Sequence, residues 1–285
     1  MIGVFDSGFG GLSILKAFLS TLPEESYVYF GDSARAPYGN HSPEKILEFT
    51  REGVNFLFSR GCSLVILACN TASANALRAL QEEMIRGPRE AGSSRNGSAV
   101  AKDRNILGVV VPIAEAVSAR AGAGGASVGI IGTRATVESN VYEIEIKRRA
   151  GGAAVFQKAC PLLVPLIEEG YAFKMETKRI LKGYLREMKS RNLDVLVPAC
   201  THYPILQGAI QRIMGKRVCV LDTGKIVAES LKKYLEKHPE MSSARAQGGR
   251  ARAQGTREFF TSGDPERFSE MGSVFLGKKF KAEKV

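Results

Sequence analysis

Seven short apolar runs punctuate the chain: IGVF (2–5), YVYFG (27–31), LVILA (64–68), ILGVVV (106–111), SVGIIG (127–132), DVLVPA (194–199) and VCVLD (218–222). Each is apolar at most positions rather than at every second one. A strand reads this way when both of its faces are buried, as in a parallel sheet covered by helices. Between most of the runs lie segments with helical spacing, at 43–60, 72–85, 113–120, 138–150, 176–190 and 225–236. Strands alternating with helices predict an α/β fold, with functional loops at the C-terminal ends of the strands. At 285 residues there is chain enough for two such domains.

Two pairs of phrases echo each other. IGVFDS (2–7) resembles VGIIGT (128–133) at an offset of 126, and LVILACNT (64–71) resembles VLVPACTH (195–202) at an offset of 131. Same order and nearly the same offset predict two similar doubly wound parallel-sheet domains facing each other across a cleft. Residues 1–112 with 224–285 form the first, carrying Asp6 and Cys69; residues 113–223 form the second, carrying Cys200 and His202. Loops after equivalent strands then meet in the cleft, and the two cysteines approach it from opposite sides.

RGPREAGSSRNGSAVAKDRN (86–105) and SSARAQGGRARAQG (242–255) have no apolar period and read as mobile surface insertions. They matter because the chain carries a net charge of +11. Segments 86–104, 242–257 and 278–285 together hold +10 of it, leaving the remainder nearly neutral. Charge confined to such stretches, with no recognition motif, predicts no specific nucleic-acid partner. No apolar run approaches the roughly 18 residues of a membrane span. The start, MIGVFDSGFGG, lacks the basic region of a signal peptide, so the expected location is the cytoplasm, away from membranes.

There are five cysteines, Cys62, Cys69, Cys160, Cys200 and Cys219, with no CxxC pair among them. An odd count in a chain of this length argues against a disulfide framework and against a zinc site, and no metal is expected. Cys62, Cys160 and Cys219 read as structural thiols. Cys69 and Cys200 differ because each ends an apolar strand and is followed at once by polar residues. Two acid/base groups on opposite faces of one carbon can invert it: one removes a proton and the other returns one to the far side. Partly exposed thiols suit both tasks near neutral pH. Helix N-termini after the strands, with Asn70, Thr71 and Thr201, would favour the thiolate and hold a carboxylate. GFGGLS (8–13) fails as a dinucleotide fingerprint because Ser stands where the third glycine is needed. It reads as a tight turn opening a helix, with backbone N–H groups fit for a carboxylate.

The phrases GVFDSGFGGLSIL (3–15), YFGDSARAPYG (29–39), LACNTASA (67–74), GVVVPIAEA (108–116), GIIGTRATVESNVY (129–142), ACPLLVPLIEEG (159–170), PACTHYPIL (198–206) and VLDTG (220–224) resemble, in order, the cofactor-independent aspartate/glutamate racemases, and among them the glutamate racemases. The resemblance implies interconversion of L- and D-glutamate without pyridoxal phosphate or other cofactor, supplying D-glutamate for peptidoglycan, by a chain that forms a homodimer. Residue by residue, it implies Cys69 as the base toward D-glutamate and Cys200 toward L-glutamate, with Asp6 assisting Cys69 and His202 assisting Cys200. A glutamate of PLIEE belongs to the site, Glu168 being assigned and the adjacent Glu169 left open. Ser7, Pro37, Tyr38, Gly39, Asn70, Thr71, Thr133, Thr136 and Thr201 fall on substrate-binding positions. Three rivals stand beside this reading: a racemase of the same group for aspartate or another acidic amino acid, a single-cysteine hydrolase, and a nucleic-acid binder using the arginine-rich 242–257 segment.

Overall fold

The computed structural model describes residues 1–86, 104–121, 125–244 and 254–285. Its first strands are β1 (Ile2–Asp6), β2 (Tyr27–Gly31), β3 (Leu64–Leu67) and β4 (Asn105–Gly108). Later come β5 (Ser127–Gly132), β6 (Ala154–Ala159), β7 (Val195–Ala199), β8 (Cys219–Val220), β9 (Arg257–Thr261) and β10 (Glu283–Lys284). They form two sheets, in the orders β10-β9-β2-β1-β3-β4 and β6-β5-β7-β8. Every pairing is parallel. The expected α/β class with two parallel sheets is what the chain adopts.

The internal echo has a topological meaning. Within the first sheet the run β2-β1-β3-β4 has the same order as β6-β5-β7-β8 in the second. Thus β1 corresponds to β5, and β3 to β7. In each sheet the chain winds outward in one direction from β1 or β5, then in the other. A crevice opens outside the strand C-termini at such a switch point. Asp6 ends β1 and Cys69 follows β3; Thr133 follows β5 and Cys200 follows β7.

Helices cover the sheets. The first is α1 (Leu12–Thr21), then α2 (Pro43–Ser59), α3 (Asn70–Asn75), α4 (Leu77–Arg86) and α5 (Val110–Ala121). The second sheet is flanked by α6 (Arg134–Glu138), α7 (Val141–Arg149), α8 (Leu163–Glu168), α9 (Met175–Lys189) and α10 (Gln207–Met214). The chain then runs through α11 (Thr223–Lys237) and α12 (Pro265–Leu276). In α1, Leu12, Ile14, Leu15 and Phe18 point into the core. Asp222 and Asp264 cap α11 and α12, accepting from the N–H of Lys225 and Arg267. Such caps satisfy N–H groups that a helix start leaves without partners.

Some expected boundaries move. The run 106–111 is not one strand, because helix α5 takes over at Val110. Pro112 fits there, since a helix's first turn needs no N–H from it. The expected helix at 72–85 is two helices, α3 and α4, and 138–150 contains α6's end and α7. The ends of the two expected insertions are built into the fold. Arg86 closes α4 and Asn105 opens β4. Ser242, Ser243 and Ala244 hold the buried carboxylate of Glu25: Ser242 Oγ donates at 2.5 Å, Ser243 N–H at 2.7 Å and Ser243 Oγ at 2.6 Å. Gly255 N–H donates to the Pro23 carbonyl at 3.1 Å. Within these stretches residues 87–103 and 245–253 lie outside the described residues. Among the described residues, no helix is long and apolar enough to cross a membrane.

Candidate active site

One wall of the site comes from the first sheet. Asp6 is fully buried and accepts the Gly8 N–H at 2.9 Å. Burial raises its carboxyl above the usual range, against the opposing pull of His202, the Gly11 and Gly8 N–H groups and the Thr201 hydroxyl. The GFGG turn does bind a carboxylate through backbone N–H groups, and that carboxylate is this chain's own Asp6. Cys69 is the N-cap of α3, its Sγ 3.5 Å from the Ala72 N–H and 3.4 Å from Ser7 Oγ. Burial, with Asp6 beside it, pushes the thiol up to about 12, while Ser7 and the Ala72 N–H act the other way.

The opposite wall comes from the second sheet. No α-helix starts directly after Cys200; Thr201 and His202 lead into a short 3-10 turn, Tyr203–Leu206. The expected helix N-terminus is present after Cys69 only. Cys200 instead has an imidazole, with His202 Nδ1 3.8 Å from its Sγ and His202 Nε2 3.0 Å from Glu168 Oε1. Burial alone would lower the imidazole, but hydrogen bonds to Cys200 and Glu168 outweigh it and raise His202 to about 10. Glu169 sits elsewhere, exposed and 3.0 Å from Arg267. Adjacent residues at a helix end point about 100° apart, so only one of the pair faces His202.

The two walls touch through hydroxyls. Thr71 Oγ1 lies 2.8 Å from Thr133 and 3.1 Å from Thr136, which are themselves 3.0 Å apart. Thr201 Oγ1 donates to Asp6 Oδ1 at 3.3 Å, and Ser13 Oγ to the Thr201 carbonyl at 3.0 Å. The Tyr142 hydroxyl donates to Asn70 Oδ1 at 2.5 Å. Approach is close enough to demand glycine at two positions. A Cβ on Gly10 would sit 2.4 Å from Thr201 Oγ1 and 2.6 Å from His202 Nδ1. A Cβ on Gly39 would sit 2.6 Å from Thr133 Cβ.

The Pro37–Gly39 segment is anchored rather than free. The Tyr38 hydroxyl donates to Asp32 Oδ2 at 2.5 Å. Asp32 also accepts from Arg35 Nε at 2.7 Å and Ser262 Oγ at 2.6 Å. Sequence reading missed Asp32, Ser13 and Tyr142, although all three lie within phrases it singled out; Asp32, Arg35 and Tyr38 recur at every third residue. Cys160 is buried, its thiol pushed up to about 12 by burial, and donates to the Lys158 carbonyl at 3.7 Å. Cys62 is buried too, while Cys219 is exposed. Among the described residues, no group of three or more His, Cys, Asp or Glu side chains is placed to hold a metal ion.

The arrangement is one of two thiols at equivalent strand ends, one beside a carboxylate and a hydroxyl, the other beside an imidazole. Comparison with known proteins gives it a context. The Asp/Glu/Hydantoin racemase family model matches residues 101–231. Glutamate racemase 2 of Caldanaerobacter subterraneus subsp. tengcongensis is 36% identical over 278 residues, 98% of this chain and 94% of that protein. A glutamate racemase isoform from Bacillus anthracis superposes with a TM-score of 0.86 at 29% identity, over 100% of this chain and 97% of that one. The Francisella tularensis glutamate racemase, solved in complex with D-glutamate, gives 0.83 at 30%, over 100% and 96%. With this identity over nearly its whole length, the chain belongs to the glutamate racemase family.

Proposed function

We propose that the chain interconverts L- and D-glutamate by a two-thiol route and supplies D-glutamate for peptidoglycan. The observation that carries the route is the placement of Cys69 and Cys200 after equivalent strands of two sheets, each with its own polar helper. From L-glutamate, the Cys200 thiolate takes the α-proton, with His202 held as the cation beside it by Glu168. The electron pair left on the α-carbon spreads into the α-carboxylate. The Cys69 thiol then gives its proton to the opposite face, and Asp6 and Ser7 remain beside the thiolate that results. From D-glutamate the same steps run backwards. Hydroxyls of Ser7, Thr71, Thr133, Thr136 and Thr201, the Asn70 amide and the 37–39 backbone hold the carboxylates and ammonium. General acid–base catalysis of this kind is worth on the order of 10²–10⁴-fold per positioned group.

The test is circular dichroism of L-glutamate and, separately, D-glutamate with purified reduced protein, without added pyridoxal phosphate or metal. Both signals decay to zero under this reading. Decay with aspartate in place of glutamate would move the substrate assignment to the other acidic amino acid. Failure with both would sink the racemase reading.

The remaining assignments rest on the resemblance and on the distribution of charge. They are a homodimer in the cytoplasm, a small-molecule substrate, no specific nucleic-acid partner, and a domain division at 1–112 with 224–285 against 113–223. Light scattering checks the dimer, and nucleic-acid binding that falls steeply with salt would overturn the partner assignment.

A further inference from the structure

Tyr142 belongs to no part of the acid–base chemistry, yet it occupies a singular place. It lies in the first turn of α7, beside the second sheet, with no solvent exposure. Its hydroxyl reaches across to the other wall and donates to Asn70 Oδ1, on the residue next to Cys69. Burial, with Cys200 nearby, raises its pKa, so the phenol keeps its proton and remains a donor.

A carboxamide has two ends of opposite character, and its orientation is set by its partners. Here the oxygen is claimed by Tyr142. Among the described residues no group accepts from Asn70 Nδ2. Among the described residues the one fully enclosed side-chain N or O atom without a partner is Gln157 Oε1, so Asn70 Nδ2 is not sealed away. Two N–H donors are thus left without a protein acceptor at the residue beside Cys69. Rotation by half a turn would present an oxygen there instead, opposed to a carboxylate. We propose that Tyr142 is the positioning residue that fixes the Asn70 amide with its donors toward a substrate carboxylate. The bond joins the two walls, so the amide next to one thiol is oriented from the side of the other.

This inference rests on the racemase reading. The experiment is a double-mutant cycle on kcat and KM for both enantiomers, using Tyr142→Phe, Asn70→Ala and the pair. Phenylalanine keeps the ring that fills the buried position, and far-UV circular dichroism with thermal melting verifies folding. The expected result for Tyr142→Phe is a KM raised about tenfold, the size of one lost hydrogen bond, with kcat changed less. In the Asn70→Ala background the tyrosine substitution should raise KM no further. A Tyr142→Phe effect that multiplies in full onto Asn70→Ala, or a KM that does not move, would overturn the proposal while leaving the racemase intact. An inactive wild-type protein would instead sink the racemase reading, and this inference with it.

Discussion

Cys69 and Cys200 are chemically the same side chain in different company. One has a hydroxyl at 3.4 Å and a buried carboxylate nearby; the other has an imidazole at 3.8 Å that is itself tied to Glu168. Serine in place of either thiol removes the sulfur that gives or takes the proton on that face. Cys69→Ser and Cys200→Ser are each expected to lower kcat by about 10³-fold or more, read from loss of optical rotation, and near-normal turnover in either would refute the two-base route. His202 supplies a second prediction, in stability. Its folded pKa of about 10 lies above the ordinary 6.5, so the folded state binds the extra proton between those values. The contribution is full below about pH 6.5 and is lost as pH rises toward 10. Melting temperatures of wild type and His202→Asn should therefore converge over that range; a gap that stays constant would contradict it. The thiols were legible because the Ala-Cys-polar phrase occurs twice at strand ends. Choosing Glu168 over Glu169 was not, because adjacent residues differ only in where the helix points them. Tyr38 was legible as a position but not in its use, since only folding brings its hydroxyl to Asp32.

Fully buried parallel strands show in sequence as unbroken apolar runs, and β1, β2, β3, β5 and β7 are of that kind. Strand β6 is not: AVFQKA mixes Gln157 and Lys158 with apolar residues at the sheet's edge. Strand β10 has two residues, both exposed, too few to leave a pattern. Helices carry a different kind of information in their glycines. Gly53 of α2 lies flush on β1, where a Cβ would meet Phe5 Cε2 at 2.2 Å. Gly183 of α9 has nothing within 4 Å of that position. Alanine is the better helix former at both sites, yet opposite signs are expected. Gly53→Ala should destabilise by about 1–3 kcal/mol through overpacking. Gly183→Ala should stabilise by about 0.5–1 kcal/mol. Urea unfolding midpoints decide both, and a stabilised Gly53→Ala would show that Phe5 has room to move.

Across the whole molecule, the echo of two phrases was enough to suggest two halves, but strand order is a property of long-range pairing that no local pattern encodes. Nor could composition reveal that Ser242 and Ser243 clasp a carboxylate more than two hundred residues away. Glu25 lies just before β2 begins, at the end of the sheet remote from the thiols. Deleting 242–255 would leave that carboxylate buried without these donors, at a cost of roughly 3 kcal/mol. Thermal stability should drop, while kcat per folded molecule should hold; a kcat that falls with it would mean the two ends of the sheet are coupled. The unequal helpers on the two walls carry a last consequence. L- and D-glutamate have identical free energies in water, so the equilibrium constant of their exchange is unity and no enzyme can alter it. The ratio kcat/KM must then be the same in both directions, for the wild type and for every variant. Asp6→Asn and His202→Asn cannot make the catalyst one-way. Any handedness they introduce has to surface as a compensated pair, in which the enantiomer that turns over faster is also the one that saturates the enzyme later.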